Sequence, residues 1–321
     1  MNVNKTETSI AVLSGKPPKK KKSTLKRKEN LIALAFISIK YLGLIVFTVL
    51  PFIFAILYSF TDYNARIETE SFLSIMGEKW CGFGNYVKLF GKSVYNEAFI
   101  NAVLNNLIFM LSVPLGIIIG LVVAIMLSRE NLIRGSRVIR MLIYIPVVSS
   151  AVAMNIIWRY IFDNQYGIIN QVTGWNIQWL TDSHWIKVVI IIKSAWGSIG
   201  RSMILCLAAL TNVGRDYYEA AEIDGAGEVT KFFKIAIPLI SPTLFYLFCT
   251  GFIGNLQAYV DSQVFANGHP GAQTIVYFIW NYGISRSRYG IASAASVVLT
   301  ISIMIITLLQ FKISEKWVYS E

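Results

Sequence analysis

Charge is what this chain has least of. Only 15% of its 321 residues are Asp, Glu, Lys or Arg, while 55% are hydrophobic. Soluble domains average about 25% charged and about 45–50% apolar residues. The mean hydropathy is +0.55. An ordinary soluble enzyme and a disordered chain are both excluded, and a helical membrane protein is expected. Cysteine is also scarce. Cys81, Cys206 and Cys249 stand far apart, which excludes a disulfide framework or a cysteine metal site. The two histidines, His184 and His269, read as isolated surface residues, so no catalytic triad or metal cluster is expected. No G-x-x-x-x-G-K-[ST] phosphate loop occurs, and Gly15-Lys16 lacks its spacing. ATP hydrolysis by this chain itself is therefore not expected.

The net charge is +11, and its distribution decides what it means. Residues 1–30 hold nine Lys/Arg against two acids, whereas residues 31–321 hold twenty against sixteen. Lys19-Lys20-Lys21-Lys22 and Lys26-Arg27-Lys28 sit in this polar tail, which is read as disordered over 1–30. A basic run beside an apolar span favours the anionic cytoplasmic leaflet. It serves as a topology anchor, with no nucleic-acid role.

A spanning helix needs about 20 mostly apolar residues. Six segments qualify: within Leu31–Phe60, then about Phe99–Leu127, Val138–Phe162, Trp185–Leu210, Leu239–Phe265 and Ile291–Phe311. With the N-terminus inside, the inner segments carry eighteen Lys/Arg and the outer segments six. The positive-inside rule then places both termini in the cytoplasm. Pro114, Pro146, Pro238 and Pro242 lie in spans two to five. Proline in lipid is tolerated where neighbouring helices or waters satisfy the freed backbone groups.

The inner segment 211–237 stands apart. It concentrates Asp216, Glu219, Glu222, Asp224 and Glu228, where most cytoplasmic loops are short and basic. Asp216 is expected to cap a helix, with Glu219 three residues on as in a capping box. Tyr217, Tyr218, Ala220, Ala221 and Ile223 give that helix an apolar surface, and Gly225 and Gly227 break it. A second helical stretch from Glu228 leads to Pro238. Two short helices joined at glycine make a compact protrusion, read as a docking element.

Glu219-Ala220-Ala221, Asp224-Gly225-Ala226, then Phe232, Ile235 and Pro238 resemble the EAA motif of ABC importer permeases. Further stretches are similar to the sugar branch, with its maltose and glycerol-phosphate permeases. These are Leu50-Pro51 with Ser59-Phe60-Thr61-Asp62-Tyr63, Gly82-Phe83-Gly84-Asn85-Tyr86, and Ile145-Pro146 with Trp158, Phe162, Gly167 and Asn170. The resemblance covers about 31–315 and departs at Gly268-His269-Pro270, where the family often has Gly-Gly-Pro. The large periplasmic insertion of the maltose protein is absent.

The resemblance implies an all-α membrane fold of six helices, the maltose-permease type I importer fold, over 31–315, followed by a short cytoplasmic end at 316–321. It implies a coupling loop at 213–238 in which Glu219, Ala220, Ala221, Asp224, Gly225 and Ala226 contact an ATPase. It also implies partners: a second permease subunit, two ATPase subunits that bind the ATP and Mg, and an extracellular or periplasmic substrate-binding protein. The chain itself is then non-catalytic, carries no cofactor, and sits in a bacterial plasma membrane as half of a carbohydrate pore.

Polar residues inside spans are functional candidates by default. Ser194, Ser198 and Arg201 fall on one face of the fourth span at i, i+4, i+7 spacing, near Lys193 and Trp196. The fifth span carries Asn255, Gln257, Tyr259 and Asp261, with Asn255 and Tyr259 sharing a face. Amides, hydroxyls and aromatic rings suit a sugar. By register from the EAA motif, Ser194, Ser198 and Arg201 resemble the family's substrate-lining positions. Arg201, with Lys193 and Arg159 nearby, suggests an acidic glycan or a sugar phosphate; alternatively Arg201 pairs with Asp261 or with an acid of the second permease. The competing classes are a membrane scaffold or channel, a membrane enzyme and a secondary transporter. An enzyme lacks its catalytic constellation here, and a secondary transporter usually shows repeats and more spans.

Overall fold

The computed structural model describes residues 24–65, 72–128 and 135–319. The lysine run at 19–22 lies outside them. The chain forms two units, 1–54 and 55–321. In the first, helix Thr24–Leu44 passes through a π-helical turn, Ile45–Val49, into helix Leu50–Ser59, whose end belongs to the second unit. The first helix thus starts at Thr24, within the segment read as tail.

The described residues contain 5 helices long and apolar enough to cross a membrane, or 6 if one bent pair counts as a span. The spans are Ile32–Ser59, Val94–Ser128, the pair Ser136–Val148 and Ala151–Ile161, Trp185–Asn212, Glu228–Leu256 and Tyr289–Ser314. The third is broken, because its halves meet at 101°. Pro146 lies two residues before the end of the first half and removes a backbone donor there. Ser149 returns its hydroxyl to the Ile145 carbonyl at 2.7 Å.

The fifth span ends at Leu256, nine residues before the expected limit at Phe265. The cause lies far away in sequence. The Asn106 amide donates to the Asn255 carbonyl at 3.0 Å, and Ala258 N–H donates to the same oxygen. A π-helical turn, Asp261–Phe265, follows. Asn105 and Asn106 then hold the next segment: Asn105 donates to the Pro270 and Gln273 carbonyls, and Ile275 N–H donates to Asn106 Oδ1.

The second unit packs around three apolar clusters, centred on Phe99 with Phe278, on Val113 with Met203 and Leu247, and on Phe109 with Ile186 and Phe265. The second and fourth spans approach most closely. A Cβ on Gly120 would lie 2.5 Å from Ser202 Cβ, and one on Gly116 would lie 2.9 Å from the Ala195 carbonyl. Small residues at i, i+4 allow such backbone contact in membranes. The Ser59–Tyr63 and Gly82–Tyr86 stretches also meet. Asn85 donates to the Ser59 and Thr61 carbonyls, and Phe60 stacks on Trp80.

Candidate functional site

Two adjoining hollows lie among the second to fifth spans, one between the second, fourth and fifth and the other between the third and fourth. One, of about 210 Å³, is lined by Ser112, Ser194, Ser198, Arg201, Ser202, Asn255 and Asp261 together with apolar residues. The other, of about 380 Å³, adds Asn155, Trp158, Lys193, Trp196 and the broken backbone at Pro146–Ala151. They share Ser194, Ser198, Arg201 and Asp261. The larger falls within the about 300–1,000 Å³ typical of small-molecule sites.

Of the residues singled out in sequence, Ser194, Ser198, Arg201 and Asn255 come together in the first hollow. Trp196 lies in the second, edge-on to Trp158 with ring centroids 5.4 Å apart. Tyr259 and Gln257 do not join them. Because the helix ends at Leu256, Gln257 is an exposed cap residue. Tyr259 packs against Trp280 in a separate hollow and no longer shares a helical face with Asn255. Arg159 lines yet another hollow, near Asp163 and His269.

Asp261 does not pair with Arg201. Its Oδ1 takes the Lys193 ammonium and the Asn155 amide, the latter at 3.1 Å, and its Oδ2 takes the Ser194 hydroxyl at 3.4 Å. Lys193 also donates to Asn155 Oδ1 at 2.7 Å. The Lys193 and Asp261 side chains are only 11% and 22% exposed. Asn155 and Ser112, which sequence reasoning passed over, are thus part of the site. Their signal was a polar residue in an apolar span. Arg201 makes no hydrogen bond or ion pair among the described residues and opens onto both hollows. Asn255 donates to the Phe109 carbonyl and to Ser112 Oγ, which leaves its Oδ1 buried without a partner.

Beyond the fourth span, helix Arg215–Ile223 is capped at its start by Gly214, without a side-chain bond. Asp216 therefore sits in the first turn, where its charge favours the helix dipole, and the expected capping box does not form. The far end explains the motif. Gly225 takes φ +75°, its N–H donates to the Glu222 carbonyl, and Ala226 N–H donates to the Ala221 carbonyl. This is a Schellman closure, which needs a left-handed residue at the glycine position. Asp224 is the helix-terminal residue. Lys231 reaches back to Glu222 at 2.6 Å, which ties the two short helices together, and pairs with Glu228 of its own helix at 3.2 Å. Glu219 and Ala220 are exposed and Ala221 is half-buried, while Ile223 is 88% exposed.

The histidines differ from each other. His184 is exposed. His269 is not isolated: Gly271 N–H donates to its Nδ1, which leaves Nε2–H to donate to the Thr181 carbonyl.

Residues 112–318 match the family of the binding-protein-dependent transport system inner membrane component. The chain belongs to that family. It is similar to the probable ABC transporter permease protein YesP of Bacillus subtilis (strain 168), 31% identical over 312 residues, 94% of this chain and 96% of that one. The lactose transport system permease protein LacF of Rhizobium radiobacter is 34% identical over 244 residues, covering 73% and 80% of the two chains. A solved bacterial alginate ABC transporter, in complex with an alginate pentasaccharide-bound periplasmic protein, shares the fold. Its TM-score is 0.74 at 22% identity, covering 91% of this chain and 96% of that one. This member of the family is a multi-pass permease subunit of a bacterial plasma membrane.

Proposed function

We propose that this permease forms half of the pore of an ATP-driven, binding-protein-dependent carbohydrate importer. The observation that carries the reading is the pair of adjoining hollows: hydroxyls and an amide line one between the helices that flank the 213–238 loop, and the Trp158–Trp196 pair lines the other beside it. Hydroxyls and amides match sugar hydroxyls, and aromatic faces match the apolar faces of sugar rings. The relatives transport lactose or arabino-oligosaccharides by name, which supports the class.

Both termini lie in the cytoplasm in this reading, as the bias of Lys and Arg requires. The 213–238 loop docks on an ATPase subunit, with the exposed Ile223 and Glu219 at the contact. ATP and Mg are bound by two ATPase subunits, a second permease completes the pore, and an external binding protein delivers the sugar. Alternating access needs a ligand with different affinities for the two states of the bundle. ATP-driven closure of the ATPases supplies that bias through the loop.

The test is uptake of a panel of labelled neutral and acidic oligosaccharides by the complete reconstituted importer. Accumulation should require both ATP and the binding protein, and Glu219→Lys should keep ATP hydrolysis while abolishing uptake. Uptake that persists without ATP, or is unaffected by Glu219→Lys, would overturn the assignment.

A further inference from the structure

We propose that Arg201 makes the hollow a recognition site for the oxyanion of an acidic carbohydrate, either a carboxylate or a phosphate borne on the sugar. The proposal rests on the carbohydrate-importer reading and names the charge class of its substrate.

Three ionisable side chains line the two hollows: Lys193, Arg201 and Asp261. Asp261 is already satisfied on both oxygens, by Lys193 and Asn155 on one and by Ser194 on the other. That cluster is neutral and closed. The hollow therefore keeps one uncompensated positive charge, on Arg201. It sits in the interior of span Trp185–Asn212, where an ionised side chain is costly unless it is met by a partner. A guanidinium presents a planar fork of donors that fits carboxylate or phosphate through two parallel hydrogen bonds.

Two other wall groups offer the opposite chemistry. The Asn255 Oδ1 is a buried acceptor without a donor. The Ser198 hydroxyl proton is spent on the Ala195 carbonyl, so its oxygen is left as an acceptor. Acceptors suit sugar hydroxyls, and the lone cationic donor suits an anionic substituent. A neutral sugar would satisfy the first set and leave the guanidinium unmet.

The local charge can be read without knowing the natural sugar. Gly197 lines the larger hollow one helical turn before Arg201, and an added Cβ there meets nothing within 4 Å. Gly197→Cys is made with Cys81→Ser, since Cys206 and Cys249 are buried. The complete importer in nanodiscs is treated with an anionic sulfonate methanethiosulfonate or its cationic trimethylammonium counterpart. Relative to a free thiol, the anionic reagent should be favoured about tenfold, as a unit charge about 6 Å away in a wet site predicts. Arg201→Gln should bring the ratio near one. A ratio near or below one that Arg201→Gln leaves unchanged would mean an acid of the second permease neutralises Arg201, and would overturn the proposal. Should Gly197→Cys fail to assemble, Gly254→Cys on the facing wall, also in open space, makes the same measurement.

Uptake then separates the sources, using labelled trigalacturonate, glucose 1-phosphate and maltotriose as probes. At least one acidic probe should enter, with uptake lowered tenfold or more by Arg201→Gln, and the one that enters distinguishes carboxylate from phosphate. Entry of maltotriose alone, unaffected by Arg201→Gln, would refute anion recognition while leaving the carbohydrate reading intact. An anion-favouring thiol ratio with no sugar carried would refute the carbohydrate reading, and with it the sugar half of the proposal.

Discussion

Gly120→Ala tests the helix contact that holds Ser198 and Ser202 at the hollow. The new methyl would lie 2.5 Å from Ser202 Cβ and 3.0 Å from both the Ile199 carbonyl and the Met203 nitrogen. None of these atoms is the tip of a flexible side chain, so the fourth span must retreat. Overpacking of this kind costs about 1–3 kcal/mol. Gly116→Ala should cost less, because its nearest obstacle, the Ser198 hydroxyl, can rotate away, although the Ala195 carbonyl at 2.9 Å remains. Ser202→Gly removes the closest atom facing Gly120, at a cost of about 1 kcal/mol for glycine within a helix. The double variant Gly120→Ala/Ser202→Gly should then be more stable than the sum of the singles predicts, by about 1–2 kcal/mol, within the range seen for contacting residues. Unfolding of the purified permease in mixed detergent and SDS micelles gives all four corners of the cycle. A wild-type stability for Gly120→Ala, or strict additivity, would refute the close contact.

Removing one partner of the Lys193–Asp261 pair leaves a poorly solvated charge. Asp261→Asn should cost about 3–5 kcal/mol in the same assay, and Lys193→Met/Asp261→Leu should cost less than either single change; a worse double would contradict the pairing. Asn106→Leu strips partners from the Asn255 carbonyl and the Ile275 N–H and should lose about 2–3 kcal/mol, with faster hydrogen exchange at Ile275; unchanged exchange would exclude that anchor. Asp182 accepts from the backbone N–H groups of Trp185 and His184, which hold its carboxyl below the ordinary 3.8. A lowered folded value means stability that is present above 3.8 and lost as pH falls through the folded value. The stability gap between wild type and Asp182→Ala should be constant from pH 8 to 5 and close only below 3.8; a gap that closes near pH 6 would assign it to another group.

The parts legible in the sequence were the local ones. A run of about 20 apolar residues declares a span by itself. The helix-loop motif around Gly225 declares itself because its glycine and its acceptor carbonyls, Ala221 and Glu222, lie within five residues of one another. What escaped was set by long-range partners. The fifth span stops at Leu256, where Asn106, 149 positions from Asn255, takes the Asn255 carbonyl, so Tyr259 left the face it was expected to share with Asn255. Asp261 chose Lys193, 68 positions away, over Arg201, which one helical face had made equally available. The break after Val148 was half visible, since Pro146 marked it but not its angle. One signal was open to reading and went unused: Gly116 and Gly120, four apart in an apolar run, announce a close helix approach.

The position of the hollow relative to the loop follows from chain connectivity. The fourth span ends at Asn212, and the short helix begins at Arg215. The fifth span starts at Glu228 and runs without a break through its π-turn to Leu256, a rod of roughly 43 Å at 1.5 Å per residue. Ser198 and Arg201 lie on the first of these helices and Asn255 on the second, so the two facing walls of the hollow are the two helices that flank the loop. Lys231 joins the loop's halves through Glu222, and Gly225 closes the first helix. The loop is therefore continuous with both walls of the hollow. The Lys193–Asp261–Asn155 cluster ties the fourth span to the broken third span and to the turn after the fifth. Any opening that parts these elements must break a poorly solvated ion pair. Arg201 lies eight residues along the same helix from Lys193, outside that cluster, where a bound anion can meet it while the cluster stays closed.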